Sequence, residues 1–99
     1  MKILLVCAGG MSTGLLMKKM EKYWADQGEE LVITATGVGE YKDICKDYEM
    51  ILVGPQVRFR LDEIKKESGL PTAVIETVDY GMQNCPNIMK LARKLQAGE

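Results

Sequence analysis

The sequence predicts an α/β protein whose parallel sheet has four strands in the order 2-1-3-4, with helices on both faces. Two observations carry that reading. Four short apolar runs, Ile3-Leu4-Leu5-Val6, Leu31 to Ala35, Met50-Ile51-Leu52-Val53 and Ala73-Val74-Ile75, alternate with four stretches of helical character. The first, third and fourth runs are apolar at every position, as strands covered on both faces are. A repeated βα unit then requires parallel strands joined by right-handed crossovers.

The elements follow in order. After the first strand, a helix is expected over roughly Thr13 to Gln27. Leu16, Met20 and Tyr23/Trp24 form its inner stripe, while Lys18, Lys19, Glu21, Lys22 and Asp26 face water. Gly28 supplies its stop. The second run carries Thr34 and Thr36 among its apolar residues and suits a sheet edge. Gly39 to Asp47 is short and flanked by glycine, and is expected to hold a short helix. Val57, Leu61 and Ile64 recur at i, i+4 and i+7 in a third helix that ends at Ser68-Gly69, before Pro71. Ile88, Leu91, Ala92 and Leu95 do the same in the last helix, which Pro86 can open in its first turn. Met17, Met20, Met50 and Met89 are expected to fill the core.

With 99 residues the chain is expected to form one domain, residues 1–99. Its 13 basic and 14 acidic side chains nearly cancel, which excludes the basic footprint of a nucleic-acid binder. Its apolar runs fall far short of a membrane span. No leader is visible after Met1-Lys2, so a cytoplasmic protein without direct membrane insertion is expected. Cys7, Cys45 and Cys85 are odd in number and widely spaced, against a disulfide framework and against zinc. No metal or cofactor is expected. Histidine is absent altogether, which removes Ser-His and Cys-His catalysis and phosphohistidine chemistry on this chain.

The chemistry concentrates after the first strand, in Cys7-Ala8-Gly9-Gly10-Met11-Ser12-Thr13-Gly14. In an open parallel sheet, ligands sit beyond the carboxyl ends of the strands, where the strand order reverses. For the flavodoxin-like order 2-1-3-4, that point puts the loop after Val6 beside the loop after Val53. Gly9 and Gly10 permit backbone angles that aim successive N–H groups at one point. Ser12 and Thr13 add hydroxyl donors, and the helix N-terminus adds unpaired N–H groups and the positive end of its dipole. A tetrahedral dianion fits such a cradle, whose phosphate-binding residues are Ala8, Gly9, Gly10, Met11, Ser12 and Thr13. Cysteines at helix N-termini favour the thiolate, so Cys7 is the expected nucleophile and needs no histidine base. The bland alternative for Cys7 is a small buried apolar residue at a strand end.

A missing residue separates two fates for a phosphorylated cysteine. Low-molecular-weight tyrosine phosphatases carry C-x5-R-[S/T] on such a loop, and their arginine clamps phosphate in the transition state. Here Thr13 stands at the arginine position, and no arginine occurs between Cys7 and Arg58. Without that clamp, hydrolysis of phosphocysteine is expected to be slow, which suits a carrier and defeats a phosphatase. Two rival readings keep the same cradle: a cysteine-dependent phosphatase or arsenate-reductase-like enzyme, and a noncatalytic anion-binding module. A dinucleotide site is excluded, because neither G-x-G-x-x-G nor G-x-x-x-x-G-K-[ST] occurs.

Cys7, Gly10, Met11, Ser12 and Thr13, read as C-x-x-G-M-S-T after an apolar strand, resemble the lactose/cellobiose (chitobiose) family of phosphotransferase-system IIB proteins. Gly54-Pro55-Gln56 with Val57 and Leu61, and Tyr80-Gly81 after the fourth strand, match further along the chain. The resemblance covers nearly the whole length. It implies a single IIB domain, a fold similar to the low-molecular-weight phosphatases, and a phosphocysteine at Cys7. It also implies a phosphohistidine IIA protein as donor and a membrane IIC sugar permease as recipient. That makes the chain a sugar-transport phosphotransferase component for the cellobiose, chitobiose and lactose class, expected as a monomer. Where the family often reads C-S-A-G-M-S-T-S, this chain has Ala8, Gly9 and Gly14. The change loses two hydroxyls, and glycine within a helix costs up to ~1 kcal/mol relative to alanine.

Several further residues carry two readings each. Gln56 can steady phosphate or a partner, or simply start a helix at the surface. Arg58 and Arg60 can meet an acidic patch on IIA or IIC, or form a solvated face. Asp79 stands where the small phosphatases hold a general acid, whereas the family match there rests on Tyr80-Gly81. Cys45 and Cys85 read as packing or cap-adjacent thiols, and Met11 as part of a docking surface.

Overall fold

The computed structural model describes residues 1–8 and 12–98. Within them the sheet has four parallel strands in the order β2-β1-β3-β4, as the sequence predicts. The strands are β1 (Lys2–Cys7), β2 (Val32–Gly37), β3 (Met50–Val53) and β4 (Thr72–Val74). β1 lies inside, paired with β2 from Lys2↔Val32 to Cys7↔Gly37 and with β3 from Ile3↔Met50 to Val6↔Val53.

The unbroken apolar run of β1 has a direct cause. Alternate residues point to opposite faces, and each face carries its own core. Ile3 and Leu5 join Leu16, Met20 and Trp24 of α1 (Ser12–Asp26) and Ile88, Met89 and Ala92 of the last helix. Leu4 and Val6 join Tyr41, Cys45, Val57 and Ile64 on the other face. β2, with only half-buried interior positions, takes an edge. α1 keeps its expected stripe: Leu16, Met20 and Trp24 are buried, Tyr23 is half-buried, and its charged residues are exposed. Trp24 sits fully inside, and its indole N–H donates to Met1 Sδ at 3.4 Å. Gly28 ends this segment at φ +82°, where a side chain would be strained. The expected methionines pack the core, with Met17 at its margin.

The connections differ from the sequence reading in two places. The third is not one helix: a 3-10 segment, Pro55–Arg60, leads into a short helix over Leu61–Ser68. Val57 breaks helical geometry inside the 3-10 segment (φ −120°, ψ 23°), yet it stays buried with Ile64. Proline removes one helix donor, and the bend at Val57 turns its side chain into the core. The fourth connection holds an unforeseen helix, Thr77–Met82, which contains Tyr80-Gly81. None of its residues is buried, and hence it showed no apolar periodicity. We number the helices α2 (Tyr41–Ile44), α3 (Leu61–Ser68), α4 (Thr77–Met82) and α5 (Cys85–Gln96). Pro86 lies in the first turn of α5, and Asn84 caps it by accepting from the Asn87 N–H at 3.1 Å.

One polar tie fixes α2 to α3. The Tyr41 ring is buried, its hydroxyl donates to Glu67 Oε2 at 2.5 Å, and Lys42 Nζ lies 3.0 Å from the same carboxylate. Burial, and then the bond to Glu67, push the Tyr41 phenol above its ordinary value of 10.0. The folded chain therefore keeps a proton that the unfolded chain loses above about pH 10, and stability falls as pH rises past that point. Tyr41→Phe is expected to remove this share of the alkaline decline. Urea midpoints of wild type and variant should converge as pH climbs above about 10; a constant gap would contradict the coupling.

Candidate functional site

Cys7 is the last residue of the central strand and lies 4% exposed. Its Sγ is 3.7 Å from Thr13 Oγ1, in the first turn of α1, and donates as a thiol to the Thr36 carbonyl at 3.8 Å. Thr13 is buried as well. The spacing of six residues thus spans from strand end to helix start and closes a thiol against a hydroxyl. α1 is 15 residues long, and the positive end of its dipole falls on this side of the sheet. Gly9, Gly10, Met11 and the Ser12 side chain, named above as cradle residues, lie outside the described residues; Ala8 is exposed next to Cys7.

The loop after β3 borders the same point, as the strand order requires. The Gly54 N–H donates to the Val6 carbonyl at 2.8 Å, so its chain runs tightly along the end of β1. A Cβ placed on Gly54 would stand 3.4 Å from Cys7 Cβ and 3.1 Å from Gln56 Oε1. Those two distances bring Gln56 to the neighbourhood of Cys7.

The remaining sequence candidates stand apart from the Cys7 depression. Arg58 Nη1 donates to the Pro55 carbonyl at 3.1 Å, and the side chain lines a different hollow with Glu76 and Val78. Arg60 pairs with Glu63. Asp79 Oδ1 accepts from Asn87 Nδ2 at 3.0 Å, which pins α4 to α5, and it lines a third hollow with Lys90 and Lys94. Tyr80 packs half-buried against the α1–α5 core. Cys45 is buried and donates to the Lys42 carbonyl at 3.6 Å. Burial pushes the Cys85 thiol up against a weaker pull from Lys19, which makes it a poor nucleophile.

Cys7 opens onto a depression of about 300 Å³ that is also lined by Thr13, Gly14, Met17, Ala35, Thr36, Gly37 and Glu40. The sequence reading missed its β2 wall. The signal was present: parallel pairing of runs one and two puts the residues after Ala35 beside Cys7, and T-G-V-G-E follows there. Among the described residues, no group of three or more Cys, Asp or Glu is placed to hold a metal, and no helix is long and apolar enough to cross a membrane.

A parallel 2-1-3-4 sheet with a cysteine at the carboxyl end of an inner strand, against a helix N-terminus, defines a class of small α/β proteins. The chain belongs to the lactose/cellobiose-specific IIB subunit family of the PTS, the sugar phosphotransferase system, whose family model matches residues 2–91. It is 36% identical to the oligo-beta-mannoside-specific EIIB component of Bacillus subtilis (strain 168), covering 99% of this chain and 98% of that one. It is 33% identical to the lactose-specific EIICB component of Staphylococcus haemolyticus (strain JCSC1435), covering 79% of this chain and 14% of that longer one. The solution structure of the cellobiose-specific IIB component from Borrelia burgdorferi superposes with a TM-score of 0.79 at 37% identity. That match covers 96% of this chain and 90% of the other.

The packing at Gly54 has a measurable consequence. Its backbone (φ −65°, ψ 145°) suits any residue, so a side chain there would act by crowding alone. Gly54→Ala is expected to cost about 1 kcal/mol in urea denaturation and to slow alkylation of Cys7. Unchanged stability together with unchanged reactivity would show that the loop has room to yield.

Proposed function

We propose that this chain carries a phosphoryl group on Cys7, between a phosphohistidine IIA protein and a sugar held by a membrane IIC permease. The observation that carries the proposal is the seat of Cys7: a thiol fixed at the end of the innermost strand, against Thr13 in the first turn of α1. There the helix dipole favours negative charge on the group that the sulfur receives.

In the loading step the Cys7 sulfur attacks phosphorus, the S–P bond forms, and the N–P bond to the donor imidazole breaks. The thiol proton ends on the imidazole nitrogen. In the unloading step a sugar hydroxyl oxygen attacks phosphorus, the S–P bond breaks, and the hydroxyl proton passes to solvent or to a group of the permease. The transition state is loose, so alignment and charge stabilisation supply most of the catalysis. Ala8, Gly9, Gly10, Met11, Ser12 and Thr13 would hold the equatorial oxygens, and Gln56, beside Gly54, would steady either the phosphoryl group or the partner. Arg58 bonds to the Pro55 carbonyl, and no arginine precedes it, so this cradle lacks the clamp that hydrolysis calls on. Retention of phosphate follows. EIICB relatives that join B and C components in one chain support the IIC partnership, and β-linked disaccharides of the cellobiose, chitobiose and lactose class are the proposed cargo. The exchange is proposed to occur in the cytoplasm.

Incubation with phosphorylated IIA is expected to add one phosphoryl mass to the wild-type chain, mapped to the Cys7 peptide. Cys7→Ser and Cys7→Ala should lose the adduct and the ability to drive sugar phosphorylation. If Cys7→Ser takes up and forwards the group as well as wild type, the cysteine mechanism is wrong. Rapid turnover of an aryl phosphate by wild type would favour a phosphatase instead.

A further inference from the structure

The β2 wall of the Cys7 depression carries a charge that the reaction has to contend with. Cys7 pairs with Gly37 across the sheet, and side chains at paired positions project from the same face. The Glu40 carboxylate folds back over that face: its oxygens lie 3.8 and 3.9 Å from where a Gly37 Cβ would be. Glu40 precedes α2 and its side chain caps nothing. Among the described residues no cation pairs with it. Among the described residues that line the depression, Glu40 is the charged one. One strand spacing plus its reach over Gly37 puts this carboxylate on the order of 7 Å from the thiol.

We propose that Glu40 is an electrostatic gate on Cys7, whose negative charge loosens any anion held on the sulfur and so raises the tendency of the phosphoryl group to move on. The consequence for phosphate rests on the carrier reading above. The pull of α1 and the push of Glu40 act on the same group from two sides. A carrier needs both, because a load bound too well is not passed forward. Two charges about 7 Å apart in water interact enough to change an equilibrium about 3-fold, and a dianion roughly squares that factor. Glu40 is exposed and makes no side-chain cap bond, so neutralising it leaves the packing intact.

The charge coupling can be read on the chain alone. Cys7 is alkylated with anionic iodoacetate and with neutral iodoacetamide, and the products are peptide-mapped to separate Cys45 and Cys85. Glu40→Gln is expected to raise the iodoacetate-to-iodoacetamide rate ratio by about 3-fold. Glu40→Asp should stay near wild type, and about 1 M salt should erase the difference, because screening there acts within about 3 Å. A ratio unmoved by Glu40→Gln, or a change that persists in high salt, overturns the gate. Equilibration with phosphorylated IIA then gives the second reading, in which Glu40→Gln shifts the equilibrium toward phosphorylated Cys7 by about 5- to 7-fold. Equal phosphorylation of the two chains overturns the effect on phosphate. A charge-dependent alkylation ratio with no phosphoryl adduct in either chain would support the gate and refute the carrier.

Discussion

The site depends on the parallel pairing of β1 with a strand on each side. That pairing buries β1 on both faces, and its last residue is held by the ladder to β2, one position beyond the end of the ladder to β3. A cysteine there has little freedom to wander. The crossover into α1 then brings Thr13 to the thiol. A small protein can seat a thiol this way because sheet geometry does the positioning, and one helix terminus supplies the field.

How much of this was legible in the residues varies with how local the signal was. Ile3-Leu4-Leu5-Val6 and Met50-Ile51-Leu52-Val53 announced inner strands because double-sided burial demands unbroken apolar runs. Strand order followed from the βα alternation, and with it the meeting of the loops after Val6 and Val53, seen as Gly54 against Cys7. α4 was not legible, because a six-residue helix with no buried position has no periodicity to display. The kink at Val57 was hidden for the opposite reason: Val57, Leu61 and Ile64 end up buried or half-buried whether or not the helix between them is continuous. At the site, Cys7 and Thr13 were readable from spacing along one segment. Glu40 was passed over: strand order alone puts the segment after Ala35 beside Cys7, but only the register, Cys7 against Gly37, makes that one carboxylate relevant.

The candidates that follow β3 and β4 show how a shared fold can suggest a role that local contacts redirect. Asp79 stands at a position that invites comparison with a proton donor, yet its carboxylate joins α4 to Asn87 of α5. Arg58 turns back to the Pro55 carbonyl and steadies the 3-10 segment. Both side chains serve the connections that follow β3 and β4, and Gln56 is the member of that region brought beside the thiol.

Trp24 is the sole indole in the chain, and it lies wholly inside the cluster that joins α1 to β1 and α5. Its emission therefore reports the seating of the very helix whose first turn offers Thr13 to Cys7. Any event at the thiol that lifts or tightens α1 alters the surroundings of that one ring, so the protein carries an intrinsic optical probe of the end of the sheet where Cys7 sits.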